Sequence, residues 1–351
     1  GLFERHDREK FEIVAFNFGR GQHDSMTERL RCAFDRFVDV RGKTDLQIAS
    51  LSRDLEIDIA VDLKGFTHSS RAGIFVNRAA PIQVSYLGYP GTMAAPFMDY
   101  LIADATLIPP EARAHYTEKV VYLPGSYQVN DRRRPIAERP WSRADFGLPS
   151  QGFVFCSFNN VYKITPATFE CWMRILRRVE GSVLWLIEDN DTAIGNLRAA
   201  VRSSGVDPAR LIFSSRLLAP DHLARHRLAN LFIDTFPCNA HTTASDALWA
   251  GLPVLTRAGE SFPARVAASL LNAIGLPELV AGSQAQYEEL AVELAQDPVR
   301  LAGIAQRLQD NRLTAPLFDT DSFTRNLEQA YSRMYERYQA DAALEDIYIS
   351  C

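Results

Sequence analysis

Short apolar runs rich in β-branched residues alternate along this chain with segments of helical period. That alternation dictates a parallel sheet covered by helices on both faces. It occurs in two sets. The first predicts strands over 11–18, 57–63, 82–87, 100–105 and 120–123, with helices over 25–37, 44–55 and 71–78. The second predicts strands over 153–158, 183–187, 211–214, 231–234 and 254–256, separated by helices over 166–179, 193–204, 220–229, 242–250 and 264–274. Further helices are predicted over 284–296, 299–311 and 320–338; in the last, Phe323, Leu327, Tyr331, Met334 and Tyr338 recur on one stripe. The polar stretch between the sets contains Pro135, Pro140 and Pro149 and reads as a linker. The expected organisation is therefore a first domain over 1–125, a linker over 126–150, a second domain over 151–315, and a C-terminal helix and tail over 316–351 packing back on the first domain. Two open sheets in tandem place a ligand crevice at the carboxyl ends of their strands.

Composition narrows the function. A chain of 351 residues, 47% hydrophobic and 23% charged, is long enough for two packed domains. Its net charge of −5 provides no basic field for nucleic acid or an anionic membrane. The cysteines, Cys32, Cys156, Cys171, Cys238 and Cys351, form no Cys-x-x-Cys pair, so neither a disulfide framework nor a zinc site is suggested. No apolar run approaches the ~20 residues of a membrane span, and residues 1–10 carry charges of both signs where a signal peptide needs an apolar core. A reducing, cytoplasmic setting follows. The opening decapeptide reads as the end of a helix, so the natural protein is expected to begin earlier.

Polar side chains concentrate at predicted strand ends. His241, Thr242, Thr243 and Asp246 open the helix over 242–250, where unpaired N–H groups and the positive dipole end favour an anion such as phosphate. Asp246, one turn on, can accept hydrogen bonds from sugar hydroxyls. The same residues also suit an ordinary helix start, with Thr242 or Thr243 as cap. After the strand over 153–158, Asn160 and Lys163 precede Pro166, and Lys163 is a cation suited to charge building on a departing phosphate. His222 and Arg225 share a helix face and can flank a base, or are plain surface residues. Gly88 and Gly91, after the strand over 82–87, permit close backbone approach to a ligand or simply form a turn. His68 reads as a surface loop residue. The triplet Asp189-Asn190-Asp191 could hold a divalent cation, but better ends one strand and caps the next helix. P-loop, dinucleotide and nucleophile-elbow motifs are absent from the sequence.

The stretches APIQVSYLGYPGT (80–92), FMDYLIAD (97–104), SFNNVYKITP (157–166), CNAHTTASDALWAG (238–251) and GESFPARVAAS (259–269) resemble, in order, the catalytic region of protein O-GlcNAc transferases and their bacterial and SPINDLY-like homologues. The resemblance implies an α/β fold of GT-B type, with two Rossmann-like doubly wound domains facing a cleft. It implies an inverting transfer of GlcNAc from UDP-GlcNAc to Ser or Thr hydroxyls of a protein acceptor, without a cofactor or a metal. By the same likeness Lys163 lies on the β-phosphate, His241 near the donor sugar, Thr242 and Thr243 on the phosphates, and Asp246 on the ribose. His222 stacks on uracil, with Arg225 and Leu217 in the uridine pocket; Asn160 stands where many members have Gln; Leu87 and Gly88 line the sugar site. Lys163 and His241 are the candidate catalytic residues.

Two departures stand out. Ala219 replaces a Lys found near the ribose in some members. The family's first catalytic-domain strand, its Asp-Phe-Gly-x-His loop and its tetratricopeptide repeats would precede Gly1, so the expected partners include an N-terminal segment of the same polypeptide. No general base is assigned. Other readings compatible with these residues are transfer from GDP-fucose or UDP-glucose, a UDP-sugar epimerase, and a UDP-binding scaffold without turnover.

Overall fold

The computed structural model describes residues 1–19 and 24–350; Cys351 lies outside the described residues. The chain separates into two compact units, one formed by residues 1–132 with the chain from 318 onward, the other by residues 133–317. The first unit begins with β1 (Val14–Asn17), α1 (Ser25–Ala33), β2 (Arg36–Asp39), α2 (Asp45–Asp54), β3 (Ile59–Asp62), α3 (Gly73–Val76), β4 (Ile82–Ser85), β5 (Tyr100–Ala103) and β6 (Lys119–Tyr122). The second unit runs through β7 (Val154–Ser157), α4 (Pro166–Arg178), β8 (Val183–Ile187), α5 (Asp191–Ser203), β9 (Leu211–Ser214), α6 (Ala219–Arg225), β10 (Leu231–Ile233), α7 (Thr242–Trp249), β11 (Val254–Arg257), α8 (Val266–Ala273), β12 (Val280–Ala281), α9 (Gln284–Gln296) and α10 (Pro298–Asn311). The chain then returns to the first unit as α11 (Thr320–Gln339) and β13 (Ile347–Tyr348).

In the first unit β3, β4, β5 and β6 pair in parallel and in sequence order, and β13 adds beyond β6. β1 and β2 form a parallel pair of their own. Phe16, Val38 and Ala60, one from each of β1, β2 and β3, pack against the same buried cluster of Val40, Ile48, Ala49, Ile74 and Phe75. Three expectations are corrected here. The helix predicted over 25–37 stops at Ala33, because Phe34 is extended and residues 36–39 pair with β1; the ladder outweighs local helical spacing. Residues 1–10 form turns, closed by Arg5 N–H to Leu2 O at 3.0 Å and Lys10 N–H to Asp7 O at 3.1 Å, with no helix end. On α11, Phe323, Leu327 and Met334 are buried, but Tyr338 is 51% exposed and stands outside the stripe.

The unpredicted strand β13 is too short to carry a periodic signal. It is held by side chains: Arg113 grips Asp346 at 2.6 and 2.7 Å, and Tyr348 stacks on Tyr122 with ring centres 4.7 Å apart. Cys156 and Cys171 are buried, Cys238 is half-buried and Cys32 exposed, all unpaired. Among the described residues no helix is long and apolar enough to cross a membrane.

The second unit is built on a parallel sheet of order β12-β11-β10-β7-β8-β9. Its strands are buried on both faces, as Val183–Ile187 illustrates, which is why they read as continuous apolar runs. From β7 the chain winds outward to β8 and β9, then crosses back to β10 beside β7 and winds the other way. The strand order therefore reverses between β7 and β10. At such a point the two outgoing loops diverge and leave a crevice at the carboxyl edge.

Candidate active site

The loops leaving β7 and β10 meet at that crevice and are organised by one carboxylate. Asp234, fully buried, accepts hydrogen bonds from the N–H groups of Thr235 at 2.7 Å and Ala240 at 2.6 Å. It also takes the Thr256 hydroxyl at 2.6 Å and the Asn159 amide at 3.2 Å. Burial pushes its pKa up to about 6, against the pull of Thr256, the Ala240 amide and Lys163. The rest of the loop is pinned from neighbouring elements: Phe236 O accepts from Thr165 at 3.2 Å and Thr168 at 2.6 Å, and Tyr287 donates to Asp234 O at 2.9 Å. A loop held at this many points is fixed in one conformation.

Lys163 projects from a short 3-10 turn after β7 and donates to Asn239 O at 2.6 Å, which ties the β7 loop to the β10 loop. The cap of α7 is His241, with φ −108° and ψ −93° and no side-chain capping bond. Thr242 and Thr243 are thus the first helical residues rather than caps. Thr242 is exposed, and Thr243 donates its hydroxyl to Asn159 Oδ1. An uncapped helix start beside a lysine is a strong local preference for an anion. His241 donates Nε2–H to Pro263 O at 3.3 Å, leaving Nδ1 as an acceptor. Burial first and Lys163 second push its pKa down to about 4, so the ring is neutral at pH 7.

His222 and Arg225 lie on α6, but they play different parts. Arg225 is 1% exposed, with its guanidinium 4.5 Å from the centre of the Phe158 ring. It donates to Ser215 O at 2.9 Å and to His222 Nδ1. The guanidinium therefore lies behind His222 and sets its tautomer, so that a neutral His222 presents Nε2–H. His226 packs edge-on against His222 at 4.8 Å and donates Nδ1–H to its carbonyl at 2.8 Å. Leu217, half-buried, lies in the loop that precedes α6.

Asn160 is exposed and accepts from Arg216 at 3.0 Å; Arg216 also pairs with Asp189 at 3.1 Å. Asp191 opens α5 behind the Asn190 cap. The Asp-x-Asp triplet is thus divided between an ion pair and a helix start, and among the described residues no group of three His, Cys, Asp or Glu is placed to hold a metal. Leu87 and Gly88 belong to the other unit. There a Cβ on Gly88 would lie 2.1 Å from Leu63 O, and one on Gly65 2.4 Å from Tyr89 Cβ, so these two loops interlock only because both positions are glycine. Leu87 itself has φ 68°.

Sequence reasoning missed three residues that build the site. Asn159 and Asp234 stood inside the motifs, at the strand ends where a buried polar residue is itself a signal. Arg134, which pairs with Asp246, was hidden in a charged run read as linker. A cavity of about 820 Å³ opens at the opposite, amino edge of the sheet, beside Phe153, Asn230 and Pro253, and is also lined by His226.

The buried histidines make stability pH-dependent with a defined sign. His222, His226 and His241 are pushed down, chiefly by burial, to about 2, 4 and 4 from an ordinary 6.5. The unfolded chain takes up protons as pH falls through 6.5 while the folded chain refuses them, so their stabilisation is complete above 6.5 and drains on acidification. Asp234, raised to about 6 from 3.8, works in the opposite direction between those values, as does Asp246, pushed up by burial, but three histidines outweigh two carboxyls. Thermal unfolding followed from pH 7.5 to 5 should show the midpoint falling by on the order of 10 °C. A level or rising midpoint would contradict the burial of these rings.

The sequence model described as glycosyl transferase family 41 matches residues 2–139 and 140–327. The probable UDP-N-acetylglucosamine–peptide N-acetylglucosaminyltransferase SEC of Arabidopsis thaliana is 36% identical over 341 residues, covering 95% of this chain and 35% of that protein. The UDP-N-acetylglucosamine–peptide N-acetylglucosaminyltransferase of Caenorhabditis elegans is 27% identical over 458 residues, covering 97% and 39%. The chain thus spans little more than a third of the length of these relatives. Among solved structures, a Thermobaculum terrenum O-GlcNAc transferase mutant superposes with TM-score 0.90 at 33% identity, covering 97% of this chain and 65% of that one. Anabaena HepE, solved with UDP and glucose, gives TM-score 0.63 at 15% identity over 91% of each chain, a likeness of fold alone. The fold is of GT-B type, with two Rossmann-like α/β units.

Proposed function

The chain belongs to glycosyl transferase family 41, and on that premise we propose that it transfers GlcNAc from UDP-GlcNAc to Ser or Thr hydroxyls of proteins, with inversion and without a metal. The observation that carries the reading is the uncapped start of α7 beside Lys163, both held by the Asp234 network. The acceptor oxygen attacks the anomeric carbon from the face opposite the pyrophosphate. Charge then grows on the departing diphosphate, where Lys163, the Thr242 and Thr243 hydroxyls and the α7 amides stabilise it. These groups supply what a divalent cation supplies in other transferases.

His241, neutral and oriented by Pro263 O, offers Nδ1 as an acceptor to the donor sugar. His222, oriented by Arg225, lies under the uracil ring, and Asp246 takes the ribose hydroxyls. A protein acceptor, a cytoplasmic setting and an N-terminal segment of the same polypeptide that presents the acceptor belong to the same proposal.

Titration calorimetry with UDP on the full chain, and transfer of radiolabelled GlcNAc from UDP-GlcNAc to protein in the presence of excess EDTA, test it together. Micromolar UDP binding and transfer unaffected by the chelator are expected. Absence of UDP uptake would overturn the donor assignment, loss of transfer in EDTA the metal-independent chemistry, and UDP binding with no transfer by the full-length protein would favour the scaffold reading.

A further inference from the structure

Asp246 lies on α7 and is half-buried, a position where a carboxylate without a partner is costly. Its partner comes from the segment that leads into the second unit. Arg134 Nη1 donates to Asp246 Oδ1, and Nη2 reaches Ser245 Oγ at 3.5 Å. Arg134 is itself fixed to α7 one turn further on: its carbonyl accepts the Trp249 indole N–H at 3.1 Å, and its guanidinium lies 5.9 Å from the Trp249 ring centre. Downstream, Ala137 N–H bonds Pro220 O at 3.0 Å and ties the same segment to the start of α6. The Arg134 Nε is buried without a hydrogen-bond partner. A buried donor left without a partner is costly, so the side chain is not placed for its own satisfaction. The placement serves the carboxylate.

We infer that Arg134 is a positioning residue of the donor site: by occupying Oδ1 it fixes the rotamer of Asp246 and leaves Oδ2 to accept from the vicinal hydroxyls of a nucleotide ribose. The inference rests on the proposed reading of Asp246 as the ribose ligand. A charged acceptor held in one orientation binds a diol better than one that must first be ordered. The effect of Arg134 should therefore be confined to ligands that carry those hydroxyls.

The experiment is a calorimetric comparison of UDP with 2′,3′-dideoxy-UDP on the full chain and on the Arg134→Gln and Arg134→Lys variants, with thermal unfolding of each. In the unmutated chain UDP should bind at least tenfold more tightly than the dideoxy compound. R134Q should weaken UDP by about tenfold, the scale of a lost charge-assisted hydrogen bond, while the dideoxy affinity changes by less than about twofold. R134K, which keeps the charge and the packing stem, should recover part of the loss and carries the test if R134Q does not fold. Equal loss for both ligands, in either variant, would assign Arg134 a purely structural role through Trp249 and overturn the inference; so would unchanged UDP affinity. If the unmutated chain binds UDP and the dideoxy compound equally well, the ribose reading of Asp246 fails first, and that pattern is distinct from the other two.

Discussion

Replacing Lys163 with Met should lower the turnover of GlcNAc transfer by about 10²- to 10³-fold while the affinity for UDP-GlcNAc falls only a few-fold. The asymmetry follows from where the charge is. In the bound donor the diphosphate is esterified at both ends; as the glycosidic bond breaks, the β-phosphate gains negative charge. A cation tied at 2.6 Å to the loop that leads into α7 therefore makes its strongest contact only in the transition state. Steady-state kinetics with saturating acceptor, combined with a direct donor Kd, separates the two quantities. A variant that lost equally in both would make Lys163 a ground-state binding residue and remove it from the chemistry.

Asp234→Ala should be the most damaging single substitution in the second unit. It would leave the Thr235 and Ala240 amides, the Thr256 hydroxyl and the Asn159 amide without their shared acceptor in a fully buried position. A stability loss of about 3–5 kcal/mol is expected, read as a fall of roughly 10 °C in the midpoint of thermal unfolding, together with loss of UDP uptake below that midpoint. Asp234→Asn keeps one acceptor oxygen and the side-chain volume and should cost markedly less. Should the alanine variant melt within about 2 °C of the unmutated chain, the loop after β10 is not organised by this carboxylate, and the preorganisation argued for the donor site would have to come from elsewhere.

Much of this site was legible in the linear chain. Lys163, His241, Thr242 and Thr243 were picked out because they stand directly after apolar runs and directly before helical ones, the position at which a parallel α/β sheet exposes side chains. The helices predicted from 166 and from 284 start at those residues in the structure, where Thr165 and Ser283 cap them. What escaped were residues whose role depends on a distant partner. Arg225 is legible in the sequence only as a companion of His222 that could flank a base; its burial over Phe158 and its bond to His222 Nδ1 give it the part of orienting the ring. Arg134 reads as one charge among several in DRRRP until the chain brings it to Asp246, 112 residues away. The strands at 36–39 and 347–348 escaped for the same reason, since each exists only through its pairing with β1 or β6.

The order of apolar runs, helical spacings and end signals determined by itself that this chain forms parallel sheets and which loops stand at the carboxyl ends of their strands, because those are local consequences of side-chain periodicity and backbone capping. Tertiary structure alone decided that β7 and β10 are neighbours, that Asp234 is the shared acceptor beneath two loops, and that Arg134 and Arg225 each serve another side chain. Hydrogen bonds and ion pairs between segments far apart in the chain have no period to read; their geometry appears only once burial has brought the partners within about 3 Å of each other.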